Sequence, residues 1–183
     1  MILPKAESQN DYKGFRMLSR LDLQGVAEIL PDDPVRPHIT ADWRIMCGRE
    51  VYALYEDQYA QYAPPQEEGK RAVICVGYTN RVPITESQLD WMSSDSWSAE
   101  DVTPDTAVFY TVWSYSRGSG QTIVNAVAEW IQQNKPQVQQ WVTLSPLTEM
   151  AERFHLRNGA TLVNRYDTCQ VFEYTHQLVE EVA

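Results

Sequence analysis

The chain is poor in cysteine, in cationic side chains and in long apolar runs. Its three cysteines, Cys47, Cys75 and Cys169, lie far apart. An odd count without Cys-x-x-Cys or Cys/His spacing argues against a disulfide scaffold and against a zinc site. Three buried thiols, each in or beside a predicted strand, are expected instead, with no metal. No apolar run approaches the length of a membrane span. The opening Met-Ile-Leu-Pro-Lys-Ala-Glu lacks the pattern of a signal peptide. A cytoplasmic location without a membrane partner is therefore the expectation. Lys and Arg number 15 against 25 Asp and Glu, a formal net charge of −10. General nucleic-acid binding needs a basic face, so that class is not expected, and only Arg153, Arg157 and Arg165 suggest a local basic patch. Neither an internal repeat nor a long linker is visible, so residues 1–183 read as one domain, with 1–12 loosely held.

What is present is aromatic. Ten Tyr and six Trp among 183 residues suggest a filled core and an aromatic-lined cleft. Apolar periodicity predicts helices over 15–30, 86–92, 121–133 and 147–158, the last ended by Gly159. Strands are predicted over 49–56, 71–79, 107–114, 138–144, 160–164 and 169–175. Residues 35–43 read as a loop or short helix, and 63–69 as a hairpin connection. The order is that of a single mixed α/β domain.

The most informative stretch is 108–120, Val-Phe-Tyr-Thr-Val-Trp-Ser-Tyr-Ser-Arg-Gly-Ser-Gly. A buried strand runs into a glycine-rich turn, and a helix follows at once. That arrangement exposes backbone N–H groups to an anion, usually a phosphate. Glycine lets the phosphate approach without a Cβ in the way.

Two motifs then resemble the GCN5-related N-acetyltransferase family. Arg117-Gly-Ser-Gly120-Gln-Thr122 resembles the family's Arg/Gln-x-x-Gly-x-Gly/Ala, with Thr122 in place of the final Gly or Ala. Ala151-Glu-Arg-Phe154-His155-Leu-Arg-Asn-Gly159-Ala160 resembles Ala-x-x-Phe-Tyr-x-x-x-Gly-Phe, with His155 in place of Tyr and Ala160 in place of Phe. The resemblance covers 107–175 by motif and 15–80 by element order. The phrasing of both motifs is similar to divergent members found in bacteriophage genomes, and Thr143-Leu-Ser-Pro146 resembles the acyltransferase-like domain of malonyl-CoA decarboxylases.

The resemblance implies an α/β acetyltransferase-like fold, with a mixed, mostly antiparallel central sheet flanked by helices. It implies acetyl-CoA, or another acyl-CoA, as cosubstrate and acetyl transfer to a small-molecule or peptide amine by direct attack. Residues Arg117, Gly118, Ser119, Gly120, Gln121 and Thr122 would hold the pyrophosphate. A backbone N–H of Val112 or Trp113 would polarise the thioester carbonyl. His155 would protonate the leaving thiolate, or else is a packed helix residue. Glu50 and His38 are candidate bases by position, His38 being an inert loop residue in the blander reading. Ser145 would contact pantetheine or act in a decarboxylase-like pair with a His; the alternative makes it the N-cap of the next helix, with Glu149 at the capping-box place. His176 is expected to be exposed.

The segment holding Trp91 and Trp97 would line the acceptor site, form a lid or pack as a flap. A decarboxylase-like enzyme and a non-enzymatic phage accessory or virion-associated protein are the rival classes. An open wedge beside the 107–114 strand favours an enzyme, and one plugged by Trp113 or Trp141 a structural role. A homodimer stays open.

Overall fold

The computed structural model describes residues 16–56 and 69–175. The expectations for residues 1–12 and 63–68 and for His176 lie outside these. The described strands are β1 (Arg16–Arg20), β2 (Glu50–Glu56), β3 (Lys70–Thr79), β4 (Thr106–Ser114), β5 (Gln140–Thr143), β6 (Thr161–Arg165) and β7 (Gln170–Tyr174). They form one sheet in the order β1-β2-β3-β4-β5-β7-β6. All its ladders are antiparallel except β4–β5. The helices are α1 (Leu23–Ile29), α2 (Ala41–Ile45), α3 (Glu86–Ser98), α4 (Ser119–Asn134) and α5 (Glu149–Arg157).

The sheet is covered on both faces. Ile123, Val124, Val127, Ala128 and Ile131 recur at helical spacing along α4 and pack with Phe154 of α5 on one face. Val26 and Ile29 of α1, Trp43 and Ile45 of α2 and Leu89 of α3 cover the other. β3 lies between β2 and β4, and its residues 72–79 are all buried, as expected of a strand covered on both sides. No helix among the described residues is long and apolar enough to cross a membrane.

The observed elements correct several expectations. Residues 15–30 are not one helix. Arg16–Arg20 pair with β2, and the helix starts only after Asp22, whose side chain accepts from the Gly25 N–H at 2.9 Å. Five residues are too few to separate a period of 3.6 from a period of 2. The third helix runs to Ser98 rather than residue 92. Ser93, Ser96 and Ser98 turn their hydroxyls to carbonyls four residues back, so these side chains are satisfied within the helix, while Leu89 anchors it in the core. Finally, α5 is capped by Thr148, which accepts from Ala151 N–H at 3.2 Å, so Ser145 is not the cap.

Candidate functional site

β4 and β5 pair only as far as Phe109 and Thr143, with a last bond from Leu144 N–H to Phe109 O at 3.1 Å. Beyond that point β5 turns away, and Ser145 exchanges both backbone bonds with Gln170, at 2.9 Å each. The cause lies within β4. In its ladder with β3, Cys75 faces Thr111 and Val76 faces Phe109, so Tyr110 is an extra residue. Such a bulge bends its strand and disturbs the pairing. It sends two successive carbonyls, Phe109 O and Tyr110 O, to the β5 edge.

Arg36 fills the fork. Its guanidinium donates to Tyr110 O on one branch and to Leu144 O, at 2.9 Å, on the other. Its Nε donates to Glu86 at 2.9 Å. The buried Asp33 accepts the Val35 and Arg36 N–H groups and pairs with Arg44 at 2.7 Å, which fixes the loop carrying Arg36. Burial pulls the Arg36 pKa below its ordinary value, partly opposed by Glu86.

Above the fork lies a cleft of about 530 Å³, bounded by β4 residues 109–114, by Leu144, Ser145 and Pro146, by α5 and by Pro34 and Val35. Tyr115 N–H donates to Arg71 O at 2.8 Å. The two-residue alternation of an antiparallel ladder therefore turns Trp113 N–H to β3 and the N–H groups of Val112 and Ser114 to the open edge.

At one end of the cleft stands the N-terminus of α4. Gly118 precedes it with φ +82°, a left-handed conformation that explains glycine there, and no side chain among the described residues caps the helix. Ser119 N–H reaches Ser116 O and Thr122 N–H reaches Gly118 O. The N–H groups of Gly120 and Gln121 have no acceptor among the described residues. Two open donors at the positive end of a sixteen-residue helix suit an anion. Gly120 meets a second demand: a Cβ there would lie 2.9 Å from Phe154, so glycine permits the approach of α5.

His155 lines the other wall and is 6% exposed. Its ring stacks on Phe172, and its Nδ1 lies 2.8 Å from the Tyr174 hydroxyl. Burial lowers its pKa to about 4, so the imidazole is neutral at pH 7. Ser145 lines the same cleft and donates to the Thr143 hydroxyl at 2.8 Å.

No family model matches the chain, and no curated protein matches it in sequence. Solved structures do match. Aminoglycoside acetyltransferase AAC(6')-Ib, in complex with coenzyme A and kanamycin, has a TM-score of 0.57 at 15% identity, over 91% of this chain and 98% of that one. AtaTR bound with acetyl-CoA gives 0.56 at 11%, over 92% and 98%. The fold is the acetyltransferase fold. Malonyl-CoA decarboxylase from Agrobacterium vitis gives 0.63 at 16%, over 91% of this chain. The present chain spans only about three fifths of the decarboxylases' length, 62%, 58% and 62% of the three matched.

Within this acetyltransferase fold the sequence-selected residues near the cleft fall into two groups. Val112, Trp113, Gly120, Ser145 and His155 line the cleft. Arg117, Gly118, Ser119, Gln121 and Thr122 form the turn and first helical residues beside it. Glu50 does not line the cleft. It is buried at the far end of α4, accepting from the Tyr52 and Tyr78 hydroxyls and pairing with Arg20 and Lys135. His38 is mostly exposed and meets Glu86 at 2.8 Å, also outside the cleft. Trp91 and Trp97 border two other surface hollows rather than this one. Arg153 and Arg165 of the basic patch are paired with Glu149 and Glu152. Sequence reasoning missed Arg36, Asp33 and Tyr174. Tyr174 alternates correctly with Phe172 toward the α4 face, but nothing near it in sequence points to His155.

Proposed function

We propose that this protein binds an acyl-CoA along the β4–β5 fork and transfers the acyl group to a small-molecule or peptide amine. The observation that carries this reading is the pairing of an open fork with two unpartnered N–H groups at the α4 N-terminus. In the proposed complex Gly120 and Gln121 hold the pyrophosphate, with Arg117 and Ser119 beside it, and pantetheine lies between β4 and Ser145. Val112 N–H polarises the thioester carbonyl. The amine nitrogen attacks that carbon, the tetrahedral intermediate collapses, and the C–S bond breaks to release CoA. No Asp or Glu among the described residues borders the cleft. The acceptor therefore loses its proton to water, and an amine of low pKa is the better substrate. The open cleft supports an enzyme over a degenerate accessory protein.

A second reading has its own observation. Ser145 and His155 border one cleft without a carboxylate among its described lining residues, and Pro34 and Val35 wall it. Such a site suits decarboxylation of a carboxyacyl-CoA, which needs neither a base nor an acceptor. The bond to the carboxyl carbon breaks, CO₂ leaves, and the thioester enolate takes a proton at Cα. Val112 N–H would serve the enolate oxygen as it serves the oxyanion.

Calorimetry with acetyl-CoA and malonyl-CoA tests the shared part. Micromolar binding of either one supports the reading, and its absence in the folded protein refutes it. Incubation with malonyl-CoA then separates the reactions: CO₂ release without an amine marks the second, and amine-dependent thiol release the first.

A further inference from the structure

We propose that Tyr174 fixes the tautomer of His155, so that its Nε2–H faces the cleft as a hydrogen-bond donor to the sulfur of a bound thioester. The assignment follows from counting protons. Tyr174 is 2% exposed, and burial raises its pKa far above the ordinary phenol value, so it keeps its proton. A buried O–H needs an acceptor. Nδ1 of His155, at 2.8 Å, is its hydrogen-bond partner among the described residues. The reverse direction, Nδ1–H to the phenol oxygen, would strand the O–H inside the protein without an acceptor.

With Nδ1 accepting, a neutral imidazole carries its proton on Nε2. That nitrogen makes no hydrogen bond among the described residues, and the ring borders the cleft. His155 is thus a buried polar group whose free donor lacks a partner among the described residues. A thioester or thiolate sulfur in the cleft supplies one. Phe172, stacked at 5.0 Å, and Phe154, edge-on at 5.1 Å, hold the ring plane. Tyr174 acts through His155 and is a positioning residue. Because the imidazole stays neutral, its role is to stabilise the departing sulfur by a hydrogen bond rather than to hand it a proton from an imidazolium.

The assignment to sulfur rests on the reading that a CoA thioester occupies the cleft; the tautomer does not. The test is long-range ¹H–¹⁵N NMR of protein labelled at histidine, with His155 identified by the signal lost in His155→Gln. The expected spectrum of the free protein shows Nε2 protonated and Nδ1 bare. In Tyr174→Phe, the Nδ1 signal should move toward a mixture of tautomers while the fold persists by circular dichroism. A wild-type spectrum with Nδ1 protonated would overturn the proposal, and so would an unchanged tautomer in Tyr174→Phe. If Tyr174→Phe fails to fold, the wild-type spectrum at pH 7 still decides the tautomer. Adding CoA then reads the other half. A shift of the His155 Nε2 signal supports contact with the sulfur. CoA binding with that signal unmoved overturns the contact, and no CoA binding at all refutes the proposed function while leaving the tautomer result standing.

Discussion

Replacing Arg36 by Met tests whether one side chain holds the fork open. The thioether can follow the apolar part of the arginine stem, so little packing is lost. What disappears is the set of bonds to Tyr110 O, Leu144 O and Glu86. Glu86 is partly exposed and can turn to water. The two carbonyls lie at buried residues, and each unsatisfied one costs about 1–3 kcal/mol. Relief from keeping a buried cation offsets part of this, since desolvation already depresses the Arg36 pKa. A net loss of about 3 kcal/mol follows, or a fall in Tm of roughly 6–12 °C at about 2–4 °C per kcal/mol for a domain of this size. Urea unfolding reads it as a lower midpoint with an unchanged slope. Arg36→Lys should fall between the two, because an ammonium cannot span both branches and Glu86 together. A loss under about 1 kcal/mol in Arg36→Met would refute the reasoning: water would then be bridging the carbonyls, and the guanidinium would not be the strut.

Three further outcomes are expected. Ser119→Asp places a carboxylate at the first turn of α4, where it favours the helix by about 0.3–1 kcal/mol. It should also weaken acyl-CoA binding on the order of a hundredfold, from about 3 kcal/mol of repulsion between charges roughly 5 Å apart at an effective dielectric near 20. Raised Tm with lost calorimetric heat is the signature, and unchanged affinity would remove the pyrophosphate from this turn. The neutral, buried His155 makes stability depend on pH. Below the unfolded value near 6.5 the unfolded chain takes up a proton that the folded chain refuses until about pH 4. Stability should therefore fall as pH drops across that window, by about 3 kcal/mol in all, and level off below it; in His155→Phe, melts at pH 7 and pH 4.5 should lie closer together. Gly48 has φ +72°, and a Cβ there would sit 2.7 Å from the Trp97 ring. Gly48→Ala should cost about 1–2 kcal/mol through the left-handed backbone even if the exposed ring swings aside, and a denaturation midpoint equal to wild type would show that the turn relaxes freely.

The strands from β2 to β7, the α4 stripe and the glycine turn were legible because their signals are local. Residues 72–79 form an unbroken apolar strand apart from Gly77 and Thr79, and Ile123 to Ile131 repeat at helical spacing. The turn was readable because Gly118 and Gly120 answer separate steric demands within three residues. Illegible parts depend on partners remote in sequence. Arg36 meets carbonyls 74 and 108 residues away, and Tyr174 meets a histidine 19 residues back. The bulge hid itself in a different way. Ala107 and Phe109 face α4, as does Val112, whereas Val108, Tyr110 and Trp113 face the opposite layer. The alternation changes parity inside β4, so a period of 2 carried through from residue 107 assigns Val112 to the wrong face. Glu50 and His38 were chosen by position on elements. The buried pairing of Glu50 with Tyr52 and Tyr78 could not be seen until β2 and β3 were in register.

The fork depends on arithmetic as well as on chemistry. β4 holds one residue more than β3 can match, and the cavity opens beside that surplus. Removing Tyr110 would let the two strands count evenly. The sheet would then be free to zip past Phe109, with Val112 and Trp113 kept on their present faces by their pairing with Ile74 and Val73. A catalogue of essential side chains would miss this, because the requirement is for one more peptide unit between Phe109 and Thr111, whose carbonyl Arg36 grips. In this molecule a single-residue deletion is therefore a more severe alteration than any substitution at the same place.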